Sequence, residues 1–234
     1  MSDKALVLFS GGQDSATSLV WALSRFNEVD TVAFDYGQSH VNELSVRLDF
    51  LEKFKNEFPE LAKKLVNDFL IDMKEIGNIS TSSLTSENPI ETNENGLPNT
   101  FVPGRNLLFF TIASTLAYKR GSKHLVGGMC ETDFSGYPDC RDDAIKALQV
   151  ALNIGMDQRF VLHTPLMWIN KSETWDLANT LGGDKLIELI REYTHTCYRG
   201  DRSVRHEWGY GCNECDACEL RRIGWENFIE DKAV

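Results

Sequence analysis

The sequence has no apolar run long enough to cross a bilayer. Its longest, residues 106–118, is interrupted by Thr and Ser and falls short of the roughly 20 residues that a spanning helix needs. No targeting segment is expected either. Met1-Ser2-Asp3-Lys4 leads straight into an apolar run with no small-residue cleavage site, so the expected location is cytoplasmic. Basic charge is also in short supply. Lys and Arg total 24 against 35 Asp and Glu, a net charge of −11. That balance excludes a broad phosphate-neutralising surface of the kind nucleic-acid binders carry. It leaves room for a small anion held at one local site. Cysteine is scarce, six in 234 residues. In a reducing compartment any clustering of these thiols points to metal or catalysis, not disulfides. Internal repeats are absent.

What is present is an ordinary globular composition, 42% hydrophobic and 25% charged, long enough for roughly one domain with a small appendage. Strand-like and helix-like segments alternate. Residues 4–9 (KALVLF) form a continuous apolar run of central-strand length. A helix is expected over 14–25, where Leu19, Val20 and Leu23 recur at helical spacing. Strands are expected at 29–34, 69–73, 124–128 and 159–162. Helices are expected at 40–58, 106–119, 142–152, 171–181 and 184–192. This order implies an α/β fold with a mostly parallel sheet flanked by helices. Residues 75–98 hold four acids (Glu75, Glu87, Glu91, Glu94) and no Lys or Arg. They read as a long solvated loop or an active-site lid.

The first chemical motif is Ser10-Gly11-Gly12-Gln13-Asp14-Ser15, between the first strand and the first helix. Two glycines let backbone approach an anion, and the helix N-terminus adds unpaired N–H groups and the positive end of a dipole. Ser10 and Ser15 add hydroxyls. Asp14 either binds the metal that accompanies phosphates or caps the helix. The pattern lacks the lysine of a GxxxxGK[ST] loop. It resembles the pyrophosphate loop of the ATP pyrophosphatase superfamily, which implies attack at the α-phosphate, release of pyrophosphate and an adenylated substrate.

The second motif is Cys212-x-x-Cys215-x-x-Cys218 with Cys197 upstream. Four thiolates suit a tetrahedral zinc site. An iron–sulfur cluster is the competitor, and the missing following Pro of the ferredoxin pattern favours zinc. No His or carboxylate marks an open coordination position, so the metal is expected to be structural. Cys130 and Cys140 read as packed thiols.

Between these motifs lie two polar blocks, NTFVPGRN (99–106) and ETDFSGYPDCR (131–141). Both follow expected strand ends, where α/β sheets bind ligands. Together they offer Arg for anions, acids for ring N–H groups, and Phe and Tyr for stacking on a planar heterocycle.

SGGQDS, FDYGQSH (34–40), PNTFVPGRN (98–106), CETDFSGYPDCRD (130–142), TPLMWINKSETW (164–175), TCYRG (196–200) and CNECDACELR (212–221) occur in order along nearly the whole chain. This set resembles the QueC family of 7-cyano-7-deazaguanine synthases. The resemblance implies a Rossmann-like pyrophosphate-loop domain, here residues 1–192, with a zinc-binding segment, 193–234, packed on it. It implies ATP-dependent conversion of 7-carboxy-7-deazaguanine and ammonia to the nitrile preQ0 in queuosine biosynthesis. It also implies Mg2+ with ATP, one bound Zn2+ and a homodimer.

On that resemblance Phe9, Ser10, Gly11, Gly12, Gln13, Asp14, Ser15, Ala16, Thr17, Ser18 and Leu19 carry ATP. Cys197, Cys212, Cys215 and Cys218 carry zinc. Our own assignment gives Arg105, Asp133, Tyr137, Asp139, Arg141 and Lys171 to substrate or phosphate contacts, with Ser10, Asp14, Ser15 and Arg141 as the catalytic set. The segment between Cys197 and Cys212 (YRGDRSVRHEWGYG) leans basic and is expected to be a solvated insertion. The alternative class is a pyrophosphate-loop tRNA thiolase with Cys140 as relay thiol, and an acidic chain with no added RNA-binding domain argues against it.

Overall fold

A computed structural model of the chain describes residues 3–37, 42–79, 82, 99–132 and 137–232, without the side chains of 42–44, 77 and 78. Strand β1 (Lys4–Leu8) runs through the middle of a five-stranded sheet of order β3-β2-β1-β4-β5. Its partners are β2 (Glu28–Asp35) and β4 (His124–Val126), and β3 (Leu65–Asp72) and β5 (Val161–His163) are the edges. All four pairings are parallel.

The continuous apolar run of β1 follows from burial on both faces. Successive side chains of a strand point to opposite sides. Ala5, Val7 and Phe9 therefore enter one core and Leu6 and Leu8 the other. The first core is covered by α1 (Gln13–Arg25), α2 (Asn42–Glu57), α7 (Lys171–Tyr193) and α8 (Asp216–Lys232). The second is covered by α5 (Arg105–Arg120) and α6 (Asp142–Gly155). The helical crossovers change face after β3, so strand order reverses between β1 and β4. Ligands of open α/β sheets bind at such a switch point, outside the carboxyl ends of the strands.

Several expectations need adjustment. The third strand begins at Leu65, four residues before its expected start, because Asn67 and Asp68 hide the pattern. Asn67 donates to Asp30 at 2.8 Å and Asp68 takes Arg47, so polar residues are satisfied inside the edge pairing. The segment expected as loop from 75 starts inside α4 (Lys74–Ile79), and its remaining lid reading lies outside the described residues except at Ser82. A short helix α3 (Pro59–Ala62) and the C-terminal α8 were not among the expected elements. The two helices expected on either side of residue 183 are there as expected, since Gly183, with φ of 62° and ψ of −161°, interrupts the ladder within α7. Helix α7 starts with a reciprocal cap between Asn170 and Glu173, the arrangement expected of Asn followed three residues later by Glu.

The segment after Cys197 is not a solvated insertion. It folds into a hairpin of β6 (Arg205–His206) and β7 (Gly209–Tyr210). Arg202 donates to the carbonyls of Thr194 and Glu192 at 3.0 and 2.8 Å, satisfying acceptors at the end of α7. Arg205 pairs with Glu192 and Glu188. The basic lean of this loop is spent on the C-terminus of a helix, where cations are favoured. Among the described residues no helix is long and apolar enough to cross a membrane.

Candidate functional site

A cavity of about 330 Å³ opens at the carboxyl ends of β1, β2 and β4. Its floor is the glycine loop. Gly11 has φ of 97°, a conformation that side chains resist. Ser15 Oγ donates to Gly12 O at 3.0 Å and accepts from Gly11 N–H at 3.2 Å, and Ser10 Oγ donates to Ser15 Oγ at 3.2 Å. Gly12 is the N-cap of α1 and brings no side chain to the helix end. The N–H groups of Gln13, Asp14 and Ser15 have no intrahelical acceptor by helix geometry. They form a donor set for an anion. The Gln13 side chain is 3% exposed, and neither its oxygen nor its nitrogen has a hydrogen-bond partner. A buried amide left unpaired is costly, and this one belongs to the cavity lining.

Asp14 does not cap the helix. Its carboxylate takes Lys171 Nζ at 2.9 Å on both oxygens, from a residue 157 positions away. Lys171 is the first residue of α7 and 8% exposed. Of the stretch expected to carry ATP, Phe9, Ser10, Gly12, Gln13, Asp14 and Ser15 line the cavity. Ala16, Thr17, Ser18 and Leu19 are buried in α1. The loop also abuts β4. A Cβ built on Gly128 would lie 3.0 to 3.1 Å from Asp14 C, Asp14 O and Ser15 N. Those are backbone atoms that cannot rotate away. Gly128→Ala is therefore expected to push the N-terminus of α1 aside and raise KM for ATP by about tenfold, checked by steady-state kinetics with the second substrate saturating.

The remaining predicted residues separate. Arg105, Tyr137 and Lys171 line the cavity. Arg105 donates to Tyr36 Oη at 3.3 Å. Burial alone would lower its pKa, but Tyr36, Tyr137, Asp139 and Cys140 override that and raise it, so the guanidinium stays charged. Tyr137 Oη lies 2.5 Å from Thr100 Oγ1, and its ring stacks on Phe101. Asp139 is buried and does not line the cavity. One carboxylate oxygen accepts from Asn106 N–H at 2.9 Å, capping α5 from a distant segment because its own N-cap is Gly104. Arg141 is exposed at the start of α6 and also lies outside the cavity lining. Asp133 lies outside the described residues. Cys130 and Cys140 are packed thiols that also line the cavity.

One wall is aromatic. Phe34 and Phe109 stack at 4.3 Å with planes 6° apart, and Tyr36 leans on Phe109. Such a wall accepts a planar heterocycle. The opposite wall comes from residues 195–198, and of these His195 was not singled out from the sequence. It is 1% exposed; Nε2 faces Cys197 O at 3.1 Å, and Nδ1 has no partner. A carbonyl only accepts, so Nε2 carries the proton. Burial lowers the pKa to about 4 and keeps the ring neutral at pH 7. The only sequence signal was its place two residues before Cys197.

The sulfurs of Cys197, Cys212, Cys215 and Cys218 lie within 4.8 Å of one another. Cys212 and Cys218 are 3.9 Å apart. A tetrahedral zinc with Zn–S near 2.3 Å needs S–S edges of about 3.8 Å, so the four fit that ion. Hydrogen bonds from Cys215 and Cys218 pull the Cys197 thiol well down, while sharing with Cys197 raises Cys215 to about 11 and Cys218 further. Among the described residues the group holds four cysteines, with no His or carboxylate joining it. Gly211 is required here, since a Cβ would lie 2.5 Å from Cys218 Sγ.

Comparison with known proteins follows the same lines. The chain is 60% identical over 232 residues to the 7-cyano-7-deazaguanine synthases of Burkholderia mallei (strain SAVP1) and Burkholderia pseudomallei (strain K96243), covering 99% of this chain and 95% of each relative. Among solved structures it is similar to a 4-thiouridine synthetase in complex with RNA and bound ATP, with a TM-score of 0.53 and 15% identity. That match covers 97% of this chain and 53% of the other, so the chain spans about half of it and the likeness is one of fold. The model of the family described as "Queuosine biosynthesis protein QueC" matches residues 4–229. With a cavity at the switch point, a pyrophosphate-type loop beneath it and a four-cysteine cluster beside it, the chain belongs to the QueC family.

Proposed function

We propose that this chain converts 7-carboxy-7-deazaguanine, ammonia and ATP to 7-cyano-7-deazaguanine, AMP and pyrophosphate. The observation that carries the reading is the cavity itself. It joins an anion-binding helix end to an aromatic wall, within a chain of the QueC family. A carboxylate is a poor electrophile. Its oxygen attacks the α-phosphorus, the bond to pyrophosphate breaks, and the acyl adenylate gains a good leaving group. Ammonia attacks the acyl carbon, AMP leaves and a proton is lost, giving the amide. The amide oxygen is adenylated in turn, and loss of AMP with the amide protons leaves the nitrile. Each activation consumes one ATP at the same loop.

In this reading the N–H groups at the start of α1 and Lys171 hold the phosphates, with Ser10 and Ser15 shaping the loop. Preorganised donors of this kind stabilise charge that develops in the transition state. Asp14 would hold the Mg2+ that accompanies ATP, trading its contact with Lys171. Arg105 and Tyr137 would meet the deazaguanine acid beside Phe34 and Phe109. Cys197, Cys212, Cys215 and Cys218 would hold Zn2+, which supplies structure when bound. The 1–192 part and the 193–234 segment would then build one site together. A homodimer in the cytoplasm is part of the proposal.

Incubation with ATP, ammonia and the carboxy-deazaguanine tests it. AMP, pyrophosphate and a nitrile of matching mass are expected. A thiolated RNA product instead would move the chain to the thiolase class. Arg141 belongs to the substrate set on sequence grounds alone. Arg141→Ala is expected to remove most activity with the fold intact, and unchanged kcat and KM would take this arginine out of the set.

A further inference from the structure

The glycine loop does not stand alone. Directly after α7 the chain passes beneath it. His195 N–H donates to Gly11 O at 3.0 Å. A Cβ on Gly12 would lie 3.4 Å from His195 O. The backbone of one residue thus touches both glycines, and whatever fixes that residue fixes the loop.

What fixes it is a single side chain from α8. Arg221 Nη1 donates to Thr194 Oγ1 and Thr196 Oγ1, each at 2.9 Å, so it clamps the residues on either side of His195. Nη2 donates to Ile190 O at 3.0 Å and Nε to Trp208 O at 2.9 Å. The guanidinium is 0% exposed and lies over Trp175, and none of these acceptors is a carboxylate. Burying a charge with no hydrogen-bonded acid is expensive; burial lowers this group to about 10, and the nearby Asp14 carboxylate offsets part of that, so it stays protonated at pH 7. A simple glue between helices would not need a cation at this depth. A fork that spans several oxygens in fixed directions does, and only arginine offers one.

The same helix reaches the loop by a second route. A Cβ on Gly224 would lie 2.6 Å from Lys171 Cβ and Cγ, so α8 sits directly on the residue whose ammonium holds Asp14. We infer that Arg221 is a positioning residue for the nucleotide loop, acting through residues 194–196 and not through contact with the ligand. The inference rests on the reading that this loop binds ATP.

The test uses the full-length, zinc-loaded protein and measures the Kd of ATP and of 7-carboxy-7-deazaguanine separately. Lysine keeps the charge and loses the fork. Arg221→Lys is expected to weaken ATP by at least about tenfold while the acid binds within about twofold and zinc content is unchanged. An ATP Kd unchanged within about twofold in the folded variant overturns the inference. So does a parallel loss of both ligands together with zinc, which a merely structural role would give. If Arg221→Lys does not fold, Thr194→Val serves. It removes one buried acceptor of the clamp, together with that hydroxyl's own donation to Ile190 O, and no cavity wall, and is expected to weaken ATP by about threefold; no change overturns the inference. Wild-type protein that fails to bind ATP would instead sink the proposed function.

Discussion

Lys171→Met is expected to lower kcat/KM for ATP by about 10³-fold while the protein stays folded. An ammonium in a water-excluded site, aimed at phosphate oxygens, contributes on the order of 3–4 kcal/mol to the transition state. Lys171 is nearly buried beneath Gly224, and its Nζ sits against the loop through Asp14. Methionine keeps the stem that packs there and removes the charge. Lys171→Arg should not restore activity, because a planar guanidinium fork does not reproduce a compact ammonium at this position. A kcat/KM for ATP unchanged in folded Lys171→Met would take this ammonium out of the phosphate site.

Zinc removal gives the second large effect, on stability. Chelation, or Cys218→Ser, is expected to cost roughly 4 kcal/mol or more and to lower Tm by about 10 °C for a chain of this size. Cys218 is fully buried, and the sulfurs share a core with Trp208, Trp225 and Phe228. Losing the metal should therefore loosen α8 and the hairpin, exposing tryptophan. A red-shifted fluorescence on chelation, reversed by zinc, is the readout. Cys140→Ser is the control. Its thiol accepts from Asn106 Nδ2 and stands outside the cluster, so Tm should move by only a few degrees for a change of about 1 kcal/mol. A chelated protein with unchanged Tm and fluorescence would remove zinc from the architecture.

Some of this was written in local sequence and some was not. The central strand, the glycine loop and the first helix were legible because each is a short-range signal. KALVLF must be buried on two faces, SGGQDS needs glycine geometry, and both lie in consecutive residues. The spacing of Cys212, Cys215 and Cys218 was legible for the same reason, since one helix start and one turn bring them together. The break at Gly183 was visible as a change in helical pattern. The edge strand β3 was blurred, because an edge strand tolerates acids and amides that a central strand excludes.

What only the tertiary structure decided is which distant residues share a space. Asp139 and Lys171 carried equal weight as charged residues in promising blocks. Folding sends one to cap α5 and the other to the mouth of the loop. Arg221 closes the CNECDACELR block, but the block gives it no role, because its acceptors come from Ile190, Thr194, Thr196 and Trp208, on other segments. Likewise the 198–211 segment read as a solvated insertion, and its Arg202 and Arg205 are instead turned back on α7. Sequence determined the reaction class and pointed to the cysteine cluster, because anion cradles and closely spaced thiols are built largely from neighbours in the chain. Tertiary structure decided how the site is held, because a helix end is positioned by whatever packs against it, and those contacts are long-range.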